Sequence, residues 1–229
     1  MSAPIFAIRP QPGCAETVAA GRAEGLSIEA CPLFEIRPLA WEAPAADRID
    51  ALLLGSANAV RHGGVALEAF RAKPVHAVGE ATARAAEAAG LTVATTGQSG
   101  LQALVDTLSG PIRLLRPTGA EHVPLAPPSG VEIETRIAYQ SVPLPLSAVI
   151  AARLPGALVL LHSAAAARHV AAECERLEVP RSGVSLAALG PRIAAAAGEG
   201  WRRVRWAEVP REAALLALAR QMCHEPPGG

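Results

Sequence analysis

Three pairs of residues in this chain could do related chemistry. Arg9-Pro10 and Arg116-Pro117 each end an apolar run, and they stand 107 residues apart. Ser56 and Ser163 each follow an apolar run and open an Ala-rich one, LLLGSANAVRH against VLLHSAAAARH, again 107 apart. Gly79 and Gly190 sit in AVGEATARAA and ALGPRIAAAA, 111 apart. Arginine grips carboxylates through paired hydrogen bonds. Helix starts offer free backbone N–H groups and the positive end of a dipole to the same ligands. The chemistry this pattern suits is the holding of anions.

Each residue also has a purely structural reading. Ser56 and Ser163 are good N-caps, worth about 1 kcal/mol each, and a capping serine can still touch a ligand. Thr82, in the first turn after Gly79, either bonds backbone or faces a ligand. Gly79 either permits close helix–sheet packing or lets something approach the backbone. Arg9 and Arg116 are either surface charges or anchors. Tyr139, the one tyrosine, has the ordinary reading of an amphipathic packing residue. His162 and His169 have no evident carboxylate partner and are not assigned a catalytic role.

Other chemistries lack their signatures. GxSxG, phosphate-loop, GxGxxG and paired-carboxylate motifs are missing. Cys14, Cys31, Cys174 and Cys223 are scattered without a CxxC pair and read as reduced, partly buried thiols. The six histidines form no HxxxH, so no metal site is expected. Lys+Arg and Asp+Glu both number 21, and this balance argues against a nucleic-acid partner. No apolar run reaches membrane-spanning length, and the N-terminus lacks a signal-peptide pattern. The expected location is the cytoplasm, and the expected state a monomer.

The elements that must carry these residues are strands and helices in alternation. Hydrophobic residues make up 51% and charged residues 18% of the 229, enough for a sizeable core. With aromatics at 3%, a core of Ala, Leu and Val favours helices packed closely on a sheet. Strands are expected at 5–9, 28–34, 51–56, 75–79, 91–95, 112–117, 131–140, 157–162, 185–189 and 202–206, with a short helix between 117 and 131. Helices are expected at 14–24, 57–70, 80–89, 99–108, 146–153, 163–177, 191–197 and 211–223. Such alternation implies parallel sheets flanked by helices. The displaced repeat divides about ten strands into two five-stranded sheets. The Pro-rich pieces 37–47 and 142–147 are the expected linkers.

This combination resembles the uroporphyrinogen-III synthase family over essentially the whole chain. The resemblance is carried by LLLGSANAVR, VGEATARAAEAAGL, LLRPTG, a strand ending IAYQ, VLLHSAAAARHV, LGPRIAAAAGEGW and AEVPREAALLALA. It implies two α/β domains joined by a two-stranded connection, residues 1–36 with 143–229 and residues 37–142. It implies a reaction in which hydroxymethylbilane, an octacarboxylate tetrapyrrole, closes to uroporphyrinogen III with ring D inverted and water lost. No cofactor or metal is implied. Tyr139 matches the tyrosine thought to assist departure of the hydroxyl. Ser56, Ser163, Thr82, Gly79 and Gly190 match positions expected to meet substrate carboxylates, with Arg9 and Arg116 as further anchors. Ile193 and Gly55 depart from the hydroxyl-bearing residues frequent in the family. The alternative is a cytoplasmic two-domain module that binds an anionic metabolite without turning it over.

Overall fold

The computed structural model describes residues 3–224; the outermost ends of the expected first domain lie outside them. Contacts divide the chain into two compact units. Unit 1 runs to Glu35 and resumes at Val142; unit 2 spans Ile36–Ser141.

Unit 1 is built on a five-stranded parallel sheet. Its chain begins with β1 (Ile5–Ala7), α1 (Gly13–Ala23) and β2 (Ile28–Ala30). Pro32 lacks the N–H that would continue a strand, so the run expected at 28–34 divides. The second part becomes β3 (Phe34–Pro38), which leads into unit 2.

Unit 2 continues with β4 (Ala51–Leu54) and α2 (Ala57–Arg61). The helix expected to reach residue 70 stops at Gly63-Gly64, where Gly64 takes φ +63, and a 3₁₀ helix follows at Val65–Phe70. Next come β5 (Val75–Val78), α3 (Glu80–Ala88), β6 (Val93–Gly97) and α4 (Leu101–Asp106). Then β7 (Ile112–Gly119) passes to β8 (Val131–Pro143), with which it pairs in parallel. No helix forms between them. Pro124, Pro127 and Pro128 cannot donate helical hydrogen bonds, and residues 120–130 return in an irregular conformation. The sheet order is β3-β8-β7-β4-β5-β6. It therefore has six strands and not five, because β3 adds itself beside β8.

The chain then completes unit 1 through α5 (Ala148–Ala151), β9 (Leu158–Leu161), α6 (Ala164–Arg176), β10 (Ser185–Ala188), α7 (Pro191–Ala196), β11 (Arg203–Trp206) and α8 (Glu212–His224). The order is β11-β10-β9-β1-β2.

Strand alternation sends successive side chains to opposite faces, and each sheet therefore has two cores. In unit 1, Phe6, Val159, Leu161 and Leu186 pack towards α6 and α7, while Ile5, Ala7, Leu158 and Leu160 pack towards α1 and α8. In unit 2, Leu52, Leu54, Val75 and Leu115 face α2 and α3, and Leu53 and Leu114 face α4. Alanine on the inner helix faces, such as Ala83 and Ala86 of α3, lets the helices lie close.

Both sheets reverse their strand order once, between β1 and β9 in unit 1 and between β7 and β4 in unit 2. At such a reversal the helices leave on opposite faces and open a crevice beyond the carboxyl ends of the strands. Asp50 and Arg113 secure the reversal in unit 2. The Arg113 guanidinium donates to both Asp50 carboxylate oxygens (2.9 and 3.1 Å), and the Arg113 backbone N–H donates to Oδ2 at 2.9 Å.

Candidate functional site

The crevice at the unit 2 reversal is a cavity of about 540 Å³. β4 delivers Gly55 and Ser56 to it, β7 delivers Arg116 to Gly119, and β8 delivers Tyr139. Gln102 of α4 and His122 of the 120–130 connection close its rim.

Ser56 caps α2, its Oγ accepting from the Asn58 N–H at 3.2 Å. Its backbone is extended (φ −156), the geometry an N-cap requires. The hydroxyl proton is not used by this bond, so the capping and ligand-contact readings of Ser56 are compatible.

Arg116 is 5% exposed, although arginine is almost never buried without a partner. Its Nη2 donates to the Val123 carbonyl at 3.0 Å, and its Nε has no partner. Burial pushes its pKa down, with Tyr139 opposing the shift.

Tyr139 is half-buried, with its ring edge against Gly119 and tilted on His62, centroids 6.1 Å apart. Burial and the neighbouring Arg61 hold His62 below the usual histidine pKa, which favours a neutral imidazole beside the phenol. His122 Nδ1 lies 3.1 Å from the Gly119 carbonyl. A carbonyl only accepts, so Nδ1 is the donor of that pair.

The 120–130 connection is held from α4. Gln102 Nε2 donates to the Ala126 carbonyl at 2.8 Å, and Gln102 Oε1 accepts from the Ala126 N–H at 2.9 Å. This two-way clamp holds the connection three residues after Val123, whose carbonyl Arg116 meets.

Gly79 and Thr82 stand at the end of β5, and the cavity lining does not include them. Gly79 takes φ +79, and a Cβ there would meet nothing within 4 Å. Close packing is therefore not the reason for the glycine; the left-handed backbone is. Its N–H already donates to the Gly97 carbonyl at 2.8 Å. The open donors at this helix start are those of the first helical positions, Glu80 and Ala81. Thr82 is 5% exposed, on the buried face of α3.

The corresponding strand ends of unit 1 carry Arg9, Ser163 and Gly190. Ser163 caps α6, accepting from the Ala166 N–H at 3.1 Å. Gly190 precedes α7 with φ −172, extended backbone open to any residue, and a Cβ there would meet nothing. Arg9 meets a carboxylate that sequence reading missed. Its Nη1 lies 3.4 Å from Glu212 Oε2. Thr17 Oγ1 donates to Glu212 Oε1 at 2.6 Å, and His162 Nε2 lies 3.0 Å from Oε2. His162 thus has the carboxylate partner that its local sequence lacks. Burial by itself raises the Glu212 pKa, but hydrogen bonds from His162 and Thr17 and the Arg9 charge outweigh it, and the net shift is downward. His169 is a packing residue, edge-on to Phe34 and bonded to the Leu144 carbonyl at 2.8 Å.

The cysteines are all free. Burial raises the pKa of each, that of Cys31 to about 11, so they remain thiols. Among the described residues no three His, Cys, Asp or Glu gather as a metal site, and no helix is long and apolar enough to cross a membrane.

Residues 15–217 match the family model described as uroporphyrinogen-III synthase HemD. No curated protein sequence matches the chain. Among solved structures, the uroporphyrinogen-III synthetase of Helicobacter pylori is 18% identical, with a TM-score of 0.67 over 96% of this chain and 99% of that one. A mutant uroporphyrinogen III synthase of the extremely thermophilic bacterium Thermus thermophilus is also 18% identical, with a TM-score of 0.55 over 97% of this chain and 100% of that one. At these identities the two share its fold.

Proposed function

The chain belongs to the uroporphyrinogen-III synthase family, which serves haem biosynthesis, and on that premise we propose how its residues carry out the reaction. The substrate is hydroxymethylbilane. Its terminal C–O bond breaks and the hydroxyl leaves as water, giving a cationic azafulvene. The α-carbon of ring D that carries the bridge to ring C attacks the azafulvene and gives a spiro intermediate. Its bond to that bridge then breaks and re-forms at the other α-carbon of ring D, and ring D is inverted. That second α-carbon loses a proton in place of the one the departing hydroxyl takes up. The enzyme acts as a cyclising hydro-lyase without a cofactor. It works in the cytoplasm as a monomer of two domains, residues 1–36 with 143–229 and residues 37–142.

The protein's task is positioning and electrostatics. Tyr139 donates its phenolic O–H in a hydrogen bond to the departing hydroxyl. Ser56, the helix start after Gly79, and Thr82 hold substrate carboxylates. Ser163 and Gly190, at the matching strand ends of unit 1, make contacts of the same kind. Thr82 reaches substrate only if α3 shifts enough to expose its hydroxyl. Of the two arginines, Arg116 is the one without a carboxylate partner among the described residues.

The observation that carries this reading is the cavity at the β4/β7 reversal, where Tyr139, Ser56 and a buried arginine line one space. The test supplies hydroxymethylbilane generated in situ and identifies the cyclic isomer. Formation of uroporphyrinogen III at an enzymatic rate supports the reading. Formation of the spontaneous, uninverted isomer alone would sink it in favour of a non-catalytic anion-binding module.

A further inference from the structure

Apart from β3, which has no counterpart in unit 1, the two sheets share one strand order entered at different points in the chain. The unit 1 order β11-β10-β9-β1-β2 corresponds strand by strand to β6-β5-β4-β7-β8 in unit 2. Arg9 after β1 therefore answers to Arg116 in β7. Helix α8, which follows β11, answers to α4, which follows β6.

The same place is filled differently in the two units. In unit 1 the first residue of α8 is Glu212. Its carboxylate takes the Thr17 hydroxyl at 2.6 Å, His162 Nε2 at 3.0 Å and Arg9 Nη1 at 3.4 Å. In unit 2 the opening turn of α4 carries Gln102, a neutral amide bonded to the Ala126 backbone and to Asp106 Oδ1. Arg116 is left 95% buried, with one hydrogen bond to a carbonyl, an unpartnered Nε and no carboxylate in ion-pair contact among the described residues. A cation taken out of water needs a compensating charge, and the space beside this one is an open cavity of about 540 Å³.

We infer that the unit 2 cavity is a carboxylate-binding subsite whose counter-charge is Arg116, and that Glu212 is a built-in carboxylate filling the equivalent place in unit 1. Arg9 is accordingly a structural partner of Glu212 and not a substrate anchor. The carboxylate chemistry follows from the two environments. Its identity as an acetate or propionate arm of the substrate rests on the synthase reading.

The test uses the intact protein and sodium propionate as probe, with sodium chloride at matched ionic strength as the control. Arginine Nε–H signals are followed by ¹⁵N-correlated NMR. Arg116 and Arg9 are assigned through Arg116→Lys and Arg9→Lys, and through-bond correlations give the assignment independently if a variant folds poorly. Propionate should move the Arg116 signal saturably and leave Arg9 unmoved. In Glu212→Gln, Arg9 should become responsive as well. Arg116→Lys should raise the KM for hydroxymethylbilane about tenfold, the scale of one lost charge-assisted hydrogen bond, with a smaller change in kcat. An Arg116 signal that moves no more with propionate than with chloride would overturn the subsite, as would an equal response from Arg9 in the wild type. If the wild type forms the inverted isomer while Arg116 stays silent, the subsite falls and the synthase reading stands. If Arg116 responds and only the uninverted isomer forms, the subsite stands and the synthase reading falls.

Discussion

The Tyr139 ring lies directly against Gly119: a Cβ at position 119 would stand 2.7 Å from Cε2 and 3.1 Å from Cζ of the tyrosine. Real side chains do not approach so closely. Glycine at the end of β7 is therefore what permits the phenol its present position over the cavity. Tyr139→Phe should slow formation of the inverted isomer by about tenfold or more, at least about 1.4 kcal/mol of barrier, with thermal unfolding unchanged. Gly119→Ala should lose activity by displacing the ring. Because both act on one phenol, the double variant should lose little more than Tyr139→Phe alone. Additive losses would detach Gly119 from Tyr139.

The two glycines before α3 and α7 should respond differently to alanine. Gly79 holds φ +79, and alanine there costs roughly 1–2 kcal/mol of backbone strain. Gly190→Ala meets neither strain nor a neighbour. It should leave the Tm within a degree or two while lowering turnover, if substrate approaches that backbone. A Gly190→Ala enzyme with wild-type kinetics would remove Gly190 from the site.

Thr82 and Ile193 occupy the same place in the repeat, one with a hydroxyl and one without. Ile193 packs partly buried against the unit 1 core, so Ile193→Ala should mainly lower the Tm. Thr82→Ala removes a buried hydroxyl, and its loss of turnover should exceed that of Ile193→Ala once both are compared at temperatures well below their Tm. Equal turnover in the two variants would assign Thr82 to packing alone.

The Asp50–Arg113 pair gives a pH signature. Hydrogen bonds from Arg113 hold the Asp50 carboxyl at about 2, below its ordinary value of 3.8. A depressed carboxylate pKa means the folded state favours the ionised form. The stabilisation is present above pH 4, declines as pH falls through 2, and is absent below. Asp50→Asn should therefore be less stable than wild type at neutral pH, and the gap should close between about pH 4 and 2. A gap independent of pH would mean that the side chain matters for shape and not for charge.

Much of the architecture could be read from short windows. Apolar runs of four or five residues, each followed by serine or glycine and an Ala-rich stretch, identify buried parallel strands leading into helices, and β4, β5, β9 and β10 lie where those runs stand. The repeat of Arg-Pro, Ser and Gly marks equivalent strand ends because each motif is local to one strand–helix junction. Errors came where one to three prolines or glycines outweighed the run around them. Pro32 divided a strand and released β3 as the sixth strand of the second sheet. Gly63-Gly64 ended α2 early, and three prolines kept 120–130 from forming a helix.

What the sequence determined by itself is the set of strand ends and the residue types they present, since propensity, capping and turn chemistry act over a few neighbouring residues. Only the tertiary structure decided what those residues meet. Arg9 and Arg116 have the same local motif, yet Arg9 pairs with Glu212, 203 residues away, while Arg116 is buried against a cavity and, among the described residues, forms no ion pair. His162 lacked a partner in its own segment and found the same glutamate 50 residues on. Strand order brings these groups together, and it is set by how two sheets bury their faces. That is a property of the whole packed chain, and no window of sequence contains it.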